Sequence, residues 1–317
     1  MFRYIIKRLL QSILTILLIV TVVFLLLRMM PTDYFFTEEE LMKFTDQQKT
    51  DRLRAAGLLD PIPVQLGRFY KDLFTKFDLG TSRRLQVNQP VSKVIGDKFH
   101  VSMRMGLISL GISLLVGVPL GILQARYKDG IFDRIGIAYT VFVNAVPNLV
   151  FYSLIMVIGA KWFGLRSIYT MRAPVQSSIL PIACLSLVSI SNYMLWMRRY
   201  MVDELNKDYI KLAKLKGCST TSVMFKHVMR NAFLPLAQYL PYNILLTVGG
   251  SLLVERFFSV PGLGPLLTDA ISRYDTNVVQ AIVMLYASLG IIGLFLGDLL
   301  LTVLDPRIRL TGQEGVR

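Results

Sequence analysis

The sequence lacks the motifs by which proteins usually hold nucleotides or catalyse hydrolysis. It has no G-x-x-x-x-G-K-[ST] motif and no Gly-Lys pair at all, so it cannot cradle ATP phosphates in a P-loop. It also has no H-E-x-x-H and no G-x-S-x-G motif. The two histidines, His100 and His227, fall near opposite membrane faces in the topology that the apolar runs and basic residues predict, which argues against catalytic zinc. We therefore expect no catalytic residue, no metal and no cofactor on this chain.

Cysteines and buried charges are also scarce. Cys184 and Cys218 are too few for a disulfide framework, so we interpret both as free thiols. A pump or secondary transporter is expected to carry ionisable residues in mid-membrane. Here the charged residues of the apolar runs fall toward the ends of those runs, where snorkelling explains them: Arg28, Arg104, Glu255, Asp298 and Asp305. Any energy source must lie on another molecule.

What the sequence does have is apolar residues and positive charge. Of its 317 residues 53% are hydrophobic, and the net charge is +14. In a soluble protein this charge would suggest nucleic acid, but the basic residues cluster at the edges of apolar runs, which is the membrane pattern. Interleaving of aromatic and basic residues, typical of RNA binders, is missing. We therefore expect membrane lipid as a partner and no nucleic acid.

The apolar runs predict an all-α integral membrane protein with six spans, since a spanning helix needs about 20 mostly apolar residues. The predicted spans are 9–30, 100–124, 135–160, 177–198, 233–255 and 278–304. The first apolar run is too long for a signal-peptide core and lacks a small-x-small cleavage site, so it is predicted to be a retained anchor. The predicted divisions are an N-terminus with the first span (1–30), an insert (31–99), a five-span core (100–304) containing a loop (199–232), and a tail (305–317).

The distribution of basic residues predicts the orientation. Seventeen Lys and Arg residues flank the N-terminus, the second–third and fourth–fifth connections and the C-terminus, against five in the opposite short loops. By the positive-inside rule both termini are cytoplasmic and residues 31–99 are extracytoplasmic. The insert holds 11 basic and 10 acidic residues and is too long to count in this rule.

Between the fourth and fifth spans lies a basic segment, "DYIKLAKLKGCSTTSVMFKHVMRN", residues 208–231. Its spacing predicts a helix over 203–216, with Gly217 at a left-handed C-terminal position and Ser219 or Thr220 capping the next helix. The first helix has an apolar stripe, formed by Leu205, Tyr209, Leu212, Ala213 and Leu215. Such a hairpin either lies on anionic lipid or is a rigid element presented to a cytosolic partner. Basic juxtamembrane helices are common, which favours lipid, whereas a defined corner at a glycine favours a partner.

The same segment resembles the cytoplasmic loop of ABC importer permeases, in the form found in peptide permeases. The pattern D-Y-[IV]-x-x-A-x-x-K-G, followed by H-x-x-R-N and L-P, is matched here by Asp208, Tyr209, Ile210, Ala213, Lys216, Gly217, His227, Arg230, Asn231, Leu234 and Pro235. The general Glu-Ala-Ala triplet of this loop is Lys211-Leu212-Ala213 here, and only its last alanine matches. That departure favours the peptide subfamily.

The resemblance extends over nearly the whole chain. The N-terminal anchor, the external segment with "DLGTS" at 78–82, "GVPLGILQARYKDGIFDR", "FFSVPGLGPLLTDAISRYDTNVVQAIVML" and "LDPRIRL" all occur in the family's order. The chain is most similar to the first of the two permease subunits of oligopeptide, dipeptide and nickel importers. This implies a type I ABC importer permease fold and oligopeptide transport across a bacterial or archaeal cytoplasmic membrane. A dipeptide importer, a nickel or metallophore importer, or a membrane receptor or scaffold without transport, remains an alternative.

The resemblance also implies partners and site residues. The partners would be a second permease, two cytosolic ATPases that bind ATP and Mg²⁺, and an extracytoplasmic peptide-binding protein. The hairpin would contain the coupling helix that docks on an ATPase, through Asp208, Tyr209, Ala213, Lys216, Gly217, His227 and Arg230. The loop with Pro261, Gly262 and Gly264 would face the binding protein, although an ordinary turn explains these residues equally well.

Polar residues within the spans offer candidates for the transport pathway. These are Asn144, Asn148, Asn192 and Asn243. Hydrogen bonding between helices explains such residues more often than pathway lining does. Prolines 147, 181 and 241 are predicted to kink their spans, and Asp298 is expected to make a structural hydrogen bond.

Overall fold

The architecture is given by a computed structural model that describes residues 2–304, apart from the side chains of residues 2–4, 34 and 38. The predicted C-terminal tail, 305–317, lies outside the described residues. Within them the chain is helical, with only an isolated β-bridge between Thr81 and Pro90. The prediction of an all-α protein is confirmed.

The first part of the chain is one long helix followed by several short ones. Thr37 and Thr45 each form a capping box, in which the threonine oxygen accepts the N–H three residues on and a Glu or Gln side chain accepts in return. These boxes explain why short helices begin there in a polar segment. The elements are α1 (Phe2–Arg28), a 3₁₀ turn (Thr32–Phe35), α2 (Glu38–Lys43), α3 (Asp46–Ala55) and α4 (Ile62–Lys76).

The remainder consists of long helices separated by short connections. In order they are α5 (Val91–Arg126), α6 (Ile131–Ala145), α7 (Asn148–Phe163), α8 (Pro174–Leu205), α9 (Asp208–Leu215), α10 (Thr220–Ser222), a π-helix (Val223–Val228), α11 (Met229–Val248), α12 (Leu252–Phe257), α13 (Leu263–Ser272) and α14 (Thr276–Leu304). Within residues 2–304, four helices are long and apolar enough to cross a membrane: α1, α5, α8 and α14.

The predicted third span, 135–160, is not one continuous helix. It is divided into α6 and α7, whose axes differ by 113°. The break falls at Pro147, which has no N–H to donate and disfavours helical backbone at Val146, whose φ and ψ are −79° and 130°. If this bent pair is one span, the number of candidate spans becomes five.

The helix in the region of the predicted fifth span, 233–255, is shorter than predicted at its C-terminal end. Helix α11 has 20 residues and ends at Val248, because Gly250 turns the chain with a φ of 87° before α12 begins. It contains Asn and Gln side chains and two internal prolines, Pro235 and Pro241, and it is not among the four helices above. At about 1.5 Å per residue it is still about 30 Å long, so the predicted six-span fold is compatible with the structure.

Close helix contacts hold the long helices together. Gly121 of α5 faces α8, where a Cβ would lie 2.6 Å from the Met194 carbonyl oxygen and 2.7 Å from Met197 Cβ, so only glycine allows this approach. Helix α1 is joined to α14 through Arg8 Nε, which lies 3.4 Å from Asp298 Oδ2. Asp298 Oδ1 also accepts a hydrogen bond from Gln238 Nε2 of α11 at 3.2 Å. The predicted structural hydrogen bond of Asp298 is confirmed.

The insert packs against the end of α1 and the start of α14. The Phe69 ring of α4 lies 5.3 Å from the Phe24 ring of α1. Asp275, directly before α14, is fully buried, and its Oδ2 accepts hydrogen bonds from Ser82 Oγ at 2.6 Å and from the backbone N–H groups of residues 83–85. These bonds fix the loop after α4 against the start of α14.

Candidate functional site

The hairpin between α8 and α11 begins with a break that the sequence pattern did not predict. Instead of one helix over 203–216, α8 ends at Leu205 and α9 starts at Asp208. The break resets the helical phase, so only part of the predicted apolar stripe, Leu205 and Ala213, packs against the core. Leu212 and Leu215 are 52% and 85% exposed, whereas Ile210 is fully buried in a cluster with Val223 and other core residues. Because the 3.6-residue pattern assumed an unbroken helix, it missed Ile210 as the anchor of α9.

The corner of the hairpin is formed by Gly217, as predicted. Its φ is 81°, in the left-handed region, and its N–H donates to the Lys214 carbonyl at 3.0 Å. The N–H of Cys218 donates to the Ala213 carbonyl at 3.2 Å. This pair of bonds is a Schellman motif, which satisfies the last carbonyls of α9 and sets the direction in which the chain leaves it.

The second half of the hairpin starts at a cap and continues as a π-helix. Ser219 Oγ accepts the Ser222 N–H at 3.3 Å, so of the two predicted caps Ser219 is the one observed. The wider turn that follows places both Val223 and Val228 in the core, each fully buried. In an α-helix, residues five apart point about 140° away from each other. The π-helix therefore enlarges the buried face of the hairpin.

A polar network fixes the base of the hairpin. Glu204, near the end of α8, is 7% exposed and accepts hydrogen bonds from the Tyr209 hydroxyl and, at 3.1 Å, from Asn231 Nδ2. Asn231 Nδ2 also lies 2.8 Å from the Tyr209 oxygen, and Lys207 Nζ lies 2.8 Å from Glu204 Oε2. The network joins α8, α9 and α11, so the hairpin cannot tilt without breaking bonds to a buried carboxylate. Sequence reasoning identified Tyr209 but missed Glu204, which no motif marked.

The outer surface of the hairpin combines apolar and basic groups. The exposed apolar residues are Leu212, Leu215 and Phe225, and Lys211, Lys214 and Lys216 of the same hairpin are exposed as well. Asp208 is exposed and pairs with Lys211 at 2.8 Å. Ala213, by contrast, is partly buried against the core. The exposed surface is therefore formed by neighbours of Ala213 more than by Ala213 itself.

Three of the residues predicted for the coupling hairpin line a cavity on the side away from its exposed corner. Tyr209, His227 and Arg230 line a cavity of about 890 Å³, together with Phe233 and with Leu304 at the end of α14. Lys216 and Gly217 lie at the opposite, exposed corner. The predicted set is thus divided between an outward-facing corner and a cavity that opens beside α11 and α14.

The four candidate pathway asparagines do not form one group. Asn144 Nδ2 donates to the Thr140 carbonyl at 2.8 Å and to Ser191 Oγ of α8 at 3.3 Å. Asn243 hydrogen-bonds the Tyr193 side chain. These two therefore join helices, while Asn148 is exposed at the start of α7 and Asn192 is half-buried in α8.

The Pro-Gly-Leu-Gly loop is organised by a carboxylate. Glu255 is 2% exposed, and its Oε2 accepts the Gly264 N–H at 2.9 Å. Ser102 Oγ of α5 accepts the Leu263 N–H at 2.9 Å. Gly262 and Gly264 are buried, and Pro261 is half-buried. Glu255 does lie beyond the end of α11, but its burial contradicts the expectation that it snorkels, since N–H groups that only the folded loop brings together hold it inside.

Across residues 2–304, long apolar helices with a rigid basic hairpin between two of them form the architecture of a membrane transport component. The family model of the "binding-protein-dependent transport system inner membrane component" matches residues 117–310, and the model of its N-terminal region matches residues 1–105. The chain belongs to this family. It is a transport permease component and not an enzyme.

Several relatives are peptide permeases. The chain is 32% identical over 310 residues to the dipeptide transport system permease protein DppB of Lactococcus lactis, covering 98% of this chain and 100% of DppB. It is 32% identical to the oligopeptide permease AppB of Bacillus subtilis, covering 84% of this chain and 86% of AppB. The match to AmiC of Streptococcus pneumoniae, also 32%, covers 66% of this chain but only 42% of AmiC.

A solved structure shares the fold. The crystal structure of an amino acid ABC transporter with histidines matches with a TM-score of 0.51 and 12% identity, covering 68% of this chain and 95% of that chain. At this identity the likeness concerns the fold alone. It agrees with the predicted ABC importer permease fold.

Proposed function

We propose that this chain is a permease subunit of an ATP-driven importer of oligopeptides. The names of DppB, AppB and AmiC support a peptide as the substrate. A dipeptide importer is the alternative that DppB favours, since the match covers the whole of that protein. The chain would form half of the pathway, and a second, similar permease would form the other half.

The hairpin is the element proposed to couple this chain to ATP hydrolysis. A coupling element must transmit a movement without bending, so it needs a rigid base and an accessible tip. The base is rigid because Ile210 is fully buried and Glu204 links α8, α9 and α11. The tip exposes Leu212 and Leu215, which a docked ATPase would cover. This combination of a fixed base and an exposed apolar tip is the observation that carries the proposal.

The remaining partners follow from the same role. Two cytosolic ATPases would bind ATP and Mg²⁺, so this chain would need no cofactor of its own. An extracytoplasmic peptide-binding protein would deliver substrate to the side of the insert. The chain would lie in the cytoplasmic membrane of a bacterium or archaeon. Both termini would be in the cytoplasm, as the distribution of basic residues supports.

The coupling role is tested by placing a negative charge on the tip of the hairpin. We expect Leu215→Asp to leave the amount of chain in the membrane unchanged, because this side chain is 85% exposed and makes no core contact. It should weaken co-purification of the ATPase subunits and abolish peptide uptake. The matched control is Leu59→Asp, at a leucine that is 48% exposed in the insert. Normal uptake by Leu215→Asp would mean that the hairpin lies on lipid instead.

The substrate is tested separately. The intact complex should co-purify with peptides that mass spectrometry identifies, and uptake should be competed by oligopeptides more strongly than by dipeptides. Stronger competition by dipeptides would support the alternative. Competition by nickel alone would exclude both peptide assignments.

A further inference from the structure

A smaller cavity lies at the far end of the molecule from the hairpin, where two spanning helices meet the insert. Its volume is about 220 Å³. Arg28 is the last residue of α1, Asn277 and Gln280 lie in the first turns of α14, and Gln65 and Arg83 belong to the insert. Because one spanning helix ends and another begins beside it, the cavity lies at the level of a membrane surface.

Two arginines at this cavity contact aromatic rings. The guanidinium carbon of Arg28 lies 4.9 Å from the Phe24 ring centre and 5.3 Å from that of Phe35. The guanidinium carbon of Arg83 lies 5.4 Å from the same Phe35 ring. Among the side chains that the structure describes, neither arginine has a carboxylate oxygen within 4 Å. Two half-buried cations are thus held near one ring without an ion pair.

The other charged groups at the cavity have partners. Arg68 pairs with Asp60 at 2.5 Å, and Asp72 pairs with Lys76 at 3.0 Å. Asp78 Oδ1 accepts the Gly80 N–H at 2.8 Å.

Two acids act on Arg83 from outside the cavity lining. Burial lowers the pKa of Arg83, and the carboxylates of Asp275 and Glu40 act in the opposite direction from beyond ion-pair distance. Among the lining groups whose charge is not cancelled by an ion pair, the two cations Arg28 and Arg83 face the single carboxylate of Asp78, so the net charge of the cavity is positive.

Two amide side chains add unused hydrogen-bonding groups. Gln65 is 8% exposed, and its Nε2 donates to the carbonyl oxygens of Leu58 at 2.9 Å and Asp60 at 2.8 Å. Both partners are acceptors, so the amide orientation is fixed and its buried Oε1 has no donor within the described chain. The buried Nε2 of Gln280 likewise has no acceptor there. Unpaired buried groups cost free energy, which a suitable ligand would recover.

We propose that this cavity binds the phosphoglycerol headgroup of an anionic lipid from the leaflet on the insert side. Arg28, Arg83 and Gln280 Nε2 would donate to the phosphate oxygens, and Gln65 Oε1 would accept from a glycerol hydroxyl. A phosphate accepts hydrogen bonds and a glycerol hydroxyl can donate one. The cavity offers the matching groups, because its donors lie beside the acceptor oxygen of Gln65. The position at the ends of two spans favours a lipid over a soluble phosphate, because headgroups are concentrated there.

The test measures lipid retention by the full chain, purified together with its associated subunits. Native mass spectrometry would count phosphatidylglycerol adducts after equilibration in mixed phosphatidylcholine and phosphatidylglycerol. We expect the double variant Arg28→Gln/Arg83→Gln to bind phosphatidylglycerol at least about tenfold more weakly, since hydrogen bonds to charged groups are strong. Arg172→Gln is the matched control, at an exposed arginine outside the cavity.

Two further measurements test whether the variant is misfolded and whether the ligand is a lipid or a soluble anion. The double variant Arg28→Lys/Arg83→Lys keeps both charges and should retain part of the binding, which would show that a loss in the Gln variant is not misfolding. Displacement of the lipid by millimolar glycerol 3-phosphate or inorganic phosphate would identify a soluble anion as the ligand and overturn the lipid assignment. Equal lipid retention by the wild type, the Gln variant and the Arg172→Gln control would overturn the site itself.

Discussion

Asn231 Nδ2 donates to Glu204 Oε1 at 3.1 Å, which joins the first turn of α11 to the end of α8 across 27 residues of chain. Glu204 also accepts from Tyr209, so one buried carboxylate connects three helices. The geometry of the hairpin therefore depends on a residue that lies before it in the sequence.

Removing the carboxylate should loosen the hairpin. We expect Glu204→Leu to destabilise the purified protein by roughly 1–3 kcal/mol, because Asn231 and the Tyr209 hydroxyl lose their shared acceptor. Tyr209→Phe, which removes one donor, should cost about 1 kcal/mol. Thermal unfolding in detergent would measure both. Equal stability of the Glu204→Leu variant and the wild type would show that the network does not hold the base.

The corner at Gly217 should tolerate only residues that accept positive φ. We expect Gly217→Val to abolish uptake with normal membrane levels, at a local cost of about 1–2 kcal/mol. No atom lies within 4 Å of an added Cβ, so the backbone angle of 81° and not crowding would be responsible. Gly217→Asn is the control, since asparagine enters the left-handed region readily. Wild-type uptake by the valine variant would contradict the role of the corner.

The ion pair between α6 and α8 should contribute far more to stability than the exposed arginine next to it in the sequence. Arg198 Nε and Nη2 lie 2.5 Å and 2.7 Å from the two carboxylate oxygens of Asp133, which is 1% exposed. Arg198→Ala would leave that buried carboxylate unpaired, so we expect a loss of about 3–5 kcal/mol in stability. Arg199→Ala, at the adjacent exposed arginine, should change it by at most about 0.5 kcal/mol. Similar effects of both variants on thermal unfolding would refute this assignment.

The orientation can be tested with two thiols on opposite faces. Native Cys218 is exposed on the hairpin, and Gln47 is exposed on α3 of the insert. In a Cys218→Ser background, Gln47→Cys should react with an impermeant thiol reagent in intact cells, or in spheroplasts if there is an outer membrane. Cys218 of the wild type should react only after lysis under denaturing conditions. The reverse pattern would place the insert in the cytoplasm.

Local sequence chemistry predicted much of the hairpin. Gly217 was predicted as the corner, and Ser219 or Thr220 as the cap, because a left-handed corner and a helix cap need particular residue types at particular places. The apolar runs identified the four long spanning helices for the same reason, since burial in lipid requires length and apolarity. Pro147 marked the bend in the third span, although a proline alone does not specify an angle of 113°.

The sequence by itself determined the class of protein, the helical fold and the corner of the hairpin, because each depends on residues close together in the chain. Only the tertiary structure decided which side chains share a buried site. Glu204 meets Asn231, Glu255 meets Gly264, and the Asp275 carboxylate meets the Ser82 hydroxyl, 193 residues away. The physical reason is that a buried carboxylate must find N–H or O–H donors wherever the folded chain provides them, and no spacing in the sequence records that distance.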